Sequence, residues 1–519
     1  MTPRAFITLF LLALLSAGVV WGRGANSANR PPRALGDISP HASHSEFPSK
    51  TIGEEIEFFV DFRAGGEATL VFGSIAPATE VTTFALRTTR VVDPVRDRPQ
   101  PRNASPAIVR YRIAADVAGC ALNRFLESPG RDRHTTGYRA GRADGDTTPP
   151  QERRFWVPTP GLPSMAQEPG EYVIARLRVA NERVAVYCDP RIPEDALPKA
   201  SVESVAQDLQ HRVLPDVERL LGEVDDLDGD GRLTVLITPL LETIPCGSTP
   251  LRAFVRSHDF LAQDELPTSN HADIIYVNSA RISDLGLDVV LTHEVSHLAA
   301  FSLRHRSSGR VRDEEWIDEG LAHAVEVRAT SDWSNLADRL KAFRTDPHRS
   351  PLVVPASNGR TGWRDPGSRG ATALFMDYLC RRFGTDVLRK LVTGDSRGIP
   401  QIEQATGVSF AELFRDWSIN VYCGHTDIQP GNQGPLARSD VENRPFVDPV
   451  VWKVEDESVE MSLQGTTTRA VRMGVDRSGS LWRVVIRGTS AERTQVTVVS
   501  NQPADTVGAP IKSIGRDNP

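Results

Sequence analysis

His293-Glu294-Val295-Ser296-His297 sets two imidazoles at i and i+4. At 3.6 residues per helical turn those positions share one face, while Glu294 projects to the flank. Two neutral imidazoles so placed grip one metal ion, and the flanking carboxylate reaches a water beside it. That combination is the pattern of a zinc-hydrolase site. The stretch therefore predicts a helix here and sets the character of the domain around it.

Catalytic zinc takes three protein ligands and leaves a position for water, so a further His, Asp or Glu is required. After a polar stretch, 304–313, the chain resumes as Glu315-Trp316-Ile317-Asp318-Glu319-Gly320-Leu321-Ala322-His323-Ala324-Val325-Glu326. Its apolar residues recur at helical spacing behind an acidic first turn. Glu319 is the expected third ligand. A three-histidine site needs Gly three residues and His six residues after His297, and those positions hold Ala300 and Leu303. His305 lies in the arginine-rich stretch and reads as a solvated loop histidine.

The two motifs resemble the thermolysin-like, or gluzincin, clan of zinc metallopeptidases, with the hyicolysin-type family nearest. The resemblance spans 201–423, taking in a strand at 273–277 and a helix through Gly370-Ala371-Thr372-Ala373-Leu374-Phe375, then 410–422. It implies a thermolysin-like α+β domain with a helical second half, Zn2+ held by His293, His297 and Glu319, and Glu294 as general base. It also implies a peptide or protein substrate whose extended backbone pairs with an exposed sheet strand. Zinc lowers the pKa of its bound water to about 7, so Glu294 can take the proton and pass it to the leaving amine. Many clan members carry a tyrosine three residues before the glycine of the later helix, but Gly367 stands there in this chain. His323, Tyr378 and Arg369 are the available oxyanion donors; His323 or Tyr378 is favoured, and the sequence does not choose between them. Ligand histidines pass their second N–H to a carboxylate or carbonyl. Glu326, two turns beyond Glu319, is the expected acceptor, with Asp318 pointing elsewhere.

The 519 residues are enough for several domains, and 39% apolar content is that of a globular protein. Sixty-seven acids against 60 bases, with no sustained basic block, argue against a nucleic-acid partner. Residues 1–24 read as a signal peptide: Arg4 precedes the apolar run from Ala5 to Val20, and small residues follow. No later segment is apolar enough to span a bilayer. The expected location is secreted, periplasmic or cell surface, and oligomeric state is left open. Five cysteines are too few and scattered for a disulfide scaffold, with Cys380 and Cys423 the one suggested pair.

The expected organisation is a multidomain α+β chain. A linker at 25–50 leads to a β domain at 51–198, the peptidase domain at 199–424, a second linker at 425–445, a small β-sandwich at 446–500 and a disordered tail at 501–519. Strands are predicted at 233–237 and 273–277, and Ser409 is the predicted cap of the last helix. Asp226-Leu227-Asp228-Gly229-Asp230-Gly231 matches the first half of a calcium loop, but Ile237 stands where a bidentate glutamate belongs. Asp226, Asp228 and Asp230 are candidate Ca2+ ligands, the alternative being an acidic turn. The functional expectation is an exported zinc endopeptidase. The alternative is a catalytically silent zinc-binding surface or interaction protein.

Overall fold

The computed structural model describes residues 45–46, 55–62, 67–91, 109–114, 148–159, 170–246, 249–354, 365–424, 445–453, 457–474, 480–488 and 494–500. The expected signal peptide, both linkers and the tail fall wholly or almost wholly outside them. The architecture is mixed α+β, with several sheets and a helical half. No described helix is long and apolar enough to cross a membrane.

The first strands are β1 (Ser45–Glu46), β2 (Glu55–Asp61), β3 (Ala68–Ser74), β4 (Val81–Val91) and β5 (Val109–Ala114). Three more follow before the helical region: β6 (Glu152–Pro158), β7 (Gly170–Ala180) and β8 (Val184–Cys188). The helical region encloses β9 (Leu233–Thr238), the short β10 (Pro245–Cys246) and β11 (Thr249–Pro250), then β12 (Ala253–Phe254) and β13 (Ile274–Asn278). The chain ends in β14 (Val450–Val451), β15 (Ser458–Gln464), β16 (Thr468–Met473), β17 (Leu481–Gly488) and β18 (Thr494–Ser500).

These strands pair across the expected domain bounds, which corrects the reading of two separate β domains at 51–198 and 446–500. One sheet runs β1-β5-β18-β3-β16-β14 and the other β15-β4-β17-β2, so the two ends of the chain interleave in one sandwich. Side chains alternate along β4, and its inward Phe84 and Leu86 meet Phe72, Trp482 and Val484 in the core between the sheets. Trp452 closes this core and donates its Nε1–H to Thr88 Oγ1 at 3.0 Å.

Strands β6, β7 and β8 belong instead to the sheet of the central domain, in the order β12-β13-β9-β8-β7-β6. Here β8, β9 and β13 are parallel neighbours, buried at every position, because the sheet is covered on both faces. Val186, Val235 and Ile275 face the helices; Tyr187, Leu236 and Tyr276 face the opposite core. The parallel crossover from β8 to β9 runs through α1 (Lys199–Asp208), a π turn at Leu209–Val213 and α2 (Leu214–Leu220).

Seven helices complete the domain: α3 (Leu287–Ser308), α4 (Glu315–Thr330), α5 (Ala337–Thr345), α6 (Pro366–Phe383), α7 (Asp386–Thr393), α8 (Gly398–Thr406) and α9 (Phe410–Cys423). Ser409 Oγ caps α9 by accepting the Glu412 N–H at 3.3 Å. Helix α3 ends at Gly309 in the left-handed region, φ 70°, so it runs further than the polar stretch suggests. His305 therefore lies on a helix, beside Phe260, rather than in a loop. Cys380 and Cys423 are not bonded to each other, so the suggested disulfide is not made.

The sandwich packs on this domain through α9 and the 348–354 segment. Tyr422 donates to Thr468 O at 2.8 Å and Gln495 to Ala411 O at 2.8 Å. The N–H groups of Leu352 and Val353 reach the carbonyl and hydroxyl of Thr466 at 2.9 and 3.0 Å.

Candidate metal centre

Helix α3 is buried along most of its length, and its buried serines are satisfied locally. Ser296 and Ser302 donate to the carbonyls one turn back, at 2.6 and 2.8 Å. His293 and His297 share a face as the i, i+4 spacing requires, with their Nε2 atoms 3.2 Å apart. Glu294 is buried on the flank of the same turn.

Helix α4 brings Glu319 to both histidines. Its Oε2 is 3.6 Å from His293 Nε2 and its Oε1 3.9 Å from His297 Nε2. Two ligand atoms each about 2.0–2.1 Å from one ion, at a tetrahedral angle, stand about 3.4 Å apart, and these three separations bracket that value. The donor set of two imidazoles and a carboxylate, already convergent, fits a tetrahedral cation with an open position. His293, His297 and Glu319 thus form a group that can hold a metal ion.

Close packing between α4 and α6 completes the surroundings. A Cβ at Gly320 would stand 2.5 Å from Thr372 Cγ2, so only glycine permits this approach. The contact brings Arg369 over the cluster, where its Nη2 donates to Glu319 Oε2 and, at 3.2 Å, to His323 Nε2. A narrow recess lined by Trp316, Glu319, Val354, Ser368, Arg369 and Thr372 adjoins the ligand. Gly367, at the position of the clan's tyrosine, has no room for a side chain, since a Cβ there collides with Ser350 Oγ.

Glu326 is wholly buried and gathers three donors on one oxygen. Its Oε2 receives His293 Nδ1–H, His323 Nδ1–H and Asn335 Nδ2–H, each at 3.0 Å. A carboxylate acceptor sets the tautomer of both rings, which leaves His293 Nε2 free to face Glu319 and His297. The second grouping, His293, His323 and Glu326, is accounted for by these bonds. Asn335 was not foreseen from the sequence; nothing in its spacing from Glu326 marks it.

Electrostatics follow from burial and from three neighbouring carboxylates. Burial works against charge on His293, but hydrogen bonds to Glu319 and Glu326 raise its pKa to about 9. Burial, then the adjacent His293, pushes His297 down to about 4 and His323 to about 3. Burial, against the pull of His293, raises Glu294 to about 8, with Glu319 adding to the rise. Although burial opposes it, Arg369 followed by the two histidines holds Glu319 well below the usual carboxylate range.

The remaining expected residues fall elsewhere or into other roles. Tyr378 lies on α6 roughly 13 Å along the axis from Arg369 and half a turn round, by helix geometry. Its hydroxyl accepts from Arg382 at 2.6 Å, and that guanidinium also binds Asp416. This places Tyr378 away from the cluster, against its reading as an oxyanion donor. Both ring nitrogens of His323 are engaged, with Glu326 and Arg369, so it stands behind the ligands. Asp318 binds the buried Arg304, which also faces Asp313 at 3.6 Å.

Asp226, Asp228 and Asp230 do converge, with one carboxylate oxygen of each within 4.8 Å of the others. Several of their oxygens are also taken up by the chain itself. Asp226 accepts the N–H groups of Gly229, Asp230 and Gly231 at 2.9 to 3.1 Å, and Asp228 pairs with Arg153 at 2.5 Å. No protein-family model matches the chain, and no curated protein matches it in sequence.

Proposed function

We propose that the protein is an exported zinc-dependent metallopeptidase of thermolysin-like arrangement that hydrolyses peptide bonds within polypeptides. The observation that carries this reading is the triangle of His293, His297 and Glu319, with the buried Glu294 in the same helical turn as the histidines. His293, His297 and Glu319 would hold the ion, which when bound supplies Lewis acidity to the scissile carbonyl and to the attacking water. Glu294, buried in the same helical turn, would take the proton from that water and return it to the leaving amine. Arg369 is the cation nearest the ligands that can face developing negative charge. Strand β12 ends the central sheet and runs antiparallel to β13, and its outer edge is the proposed partner for the substrate backbone. Export is proposed from the sequence of residues 1–24.

One observation favours a second reading, a zinc-binding protein without turnover. Tyr378 lies away from the cluster, and both nitrogens of His323 are occupied. Purified full-length chain and its Glu294→Gln variant separate the readings, by measuring bound zinc and cleavage of an unfolded protein with and without chelator. Chelator-sensitive cleavage lost in Glu294→Gln supports the peptidase. Stoichiometric zinc without cleavage supports the silent protein, and absence of zinc overturns both.

A further inference from the structure

We infer that Arg369 is a positioning residue for Glu319, held in place by His323 and Glu326, so that one chain of hydrogen bonds braces the metal group from behind. The inference rests on the proposed reading of Glu319 as a metal ligand and concerns how that ligand is fixed.

The chain of bonds can be followed atom by atom. Glu326 Oε2 accepts from His293 Nδ1 on one side and from His323 Nδ1 on the other, both at 3.0 Å. Donation from Nδ1 leaves His323 Nε2 as an acceptor, and Arg369 Nη2 donates to it at 3.2 Å. The same Nη2 donates its other hydrogen to Glu319 Oε2. The chain ends there, with that oxygen and His293 Nε2, both acceptors, facing each other at 3.6 Å as two ligands of one ion would. Every donor along the path meets an acceptor. A shift of an inner member misplaces its two neighbours, so the chain fixes both the rotation of His293 and the plane of the Glu319 carboxylate.

Arginine suits this position because one planar nitrogen carries two hydrogens in fixed directions. Its approach depends on helix packing. Arg369, Thr372 and Met376 share one face of α6, and the last two lie against Gly320, next in sequence to the ligand. With Gly367 closed by Ser350, Arg369 is the side chain by which the start of α6 reaches the ligands.

The test compares wild type with Arg369→Met, Arg369→Gln, His323→Leu and the Arg369→Met/His323→Leu pair. Zinc affinity is measured by competition with a chromophoric chelator, the visible spectrum is recorded after Co2+ loading, and far-UV circular dichroism monitors folding. Loss of a group that orients a ligand typically costs 10–100-fold in metal affinity. That loss is expected for both Arg369 variants, with an altered Co2+ spectrum, and a smaller loss for His323→Leu. The double variant should bind no more weakly than Arg369→Met, because His323 acts through Arg369. Folded Arg369→Met with wild-type affinity and spectrum overturns the inference. Should that variant not fold, Arg369→Gln decides by the same criterion. A wild type that binds neither Zn2+ nor Co2+ overturns the metal reading itself, and this inference with it.

Discussion

His293 and Glu326 are joined Nδ1 to Oε2 at 3.0 Å, in a bond that lies almost wholly out of solvent. Because the same oxygen also accepts from His323 and Asn335, Glu326→Ala leaves two buried histidine donors and the half-buried Asn335 without that acceptor. Breaking one buried charged pair costs about 3–5 kcal/mol, and a loss of that size is expected in denaturant unfolding. Zinc affinity should fall as well, by about 10–100-fold in the folded fraction. Unfolding and metal titration check the two effects separately, and a variant as stable as wild type would refute the central position given to Glu326.

Arg304 and Asp318 form a second buried pair, behind α4 rather than at the metal group. Asp318→Ala leaves the guanidinium only its longer contact with Asp313, at 3.6 Å, and should destabilise the fold by about 3–5 kcal/mol, while replacing both partners with apolar residues of similar volume should cost much less. Zinc stoichiometry of the folded protein should not change in either case. Urea unfolding of the single and double variants measures the difference, and equal losses in both would show that burial of the charge is not the cause.

Helical spacing made the metal helix legible, since the i, i+4 rule is local and needs no knowledge of the rest of the chain. Glu319 followed from the need for a third ligand in the next helical segment, and Glu326 from its place nearly two turns beyond Glu319 on the same face. Tyr378 was misplaced because the rotation of α6 about its axis is set by packing of Thr372 and Met376 on Gly320, a contact between distant segments. Arg304 was read as part of a solvated stretch because arginines usually mark solvent, and its partners Asp313 and Asp318 appear only after the chain turns back. Strand alternation marked 51–198 and 446–500 as β regions and could not reveal that β4 of the first pairs with β17 of the second.

Asp273 gives a pH dependence away from the metal group. Burial is complete around it, and Asp228 and Asp226 add like charge, so its pKa is raised well above the usual value despite the Leu227 N–H at 3.2 Å. A carboxyl with a raised native pKa favours folding while it is protonated in the native state. Its contribution is fully present below about 3.9, the unfolded value, and is lost as pH climbs through the native value. Asp273→Asn keeps an oxygen for Leu227 and removes the charge, so at pH 7 it should be more stable than wild type, with the gap closing toward low pH. Thermal melts across that range in the presence of chelator test this, and a variant less stable at pH 7 would count against it.

Interleaving of the chain ends makes the sandwich depend on both. In its sheets β3 lies between β18 and β16, β4 between β15 and β17, and β2 beside β17. Deleting residues 445–519 therefore removes every sheet neighbour of β2, β3 and β4, exposing Phe72, Phe84 and Leu86 along unpaired edges. The deletion also takes away Thr466, which holds the N–H groups of Leu352 and Val353, and Leu352 O in turn accepts from Thr372 at 3.2 Å on the helix carrying Arg369. The truncated chain should aggregate, and any soluble fraction should bind zinc more weakly than the whole. A single backbone cut within 115–147 should behave differently, because the strands on either side stay bonded to β15–β18 and to the central sheet. Nicked protein should migrate as intact protein in size-exclusion chromatography and separate only in denaturant. By the same geometry the amino-terminal β segment cannot leave as a detachable propeptide without dismantling the sandwich. Recovery of a soluble, zinc-binding chain ending at 444, or spontaneous release of the amino-terminal fragment after the cut, would contradict this account.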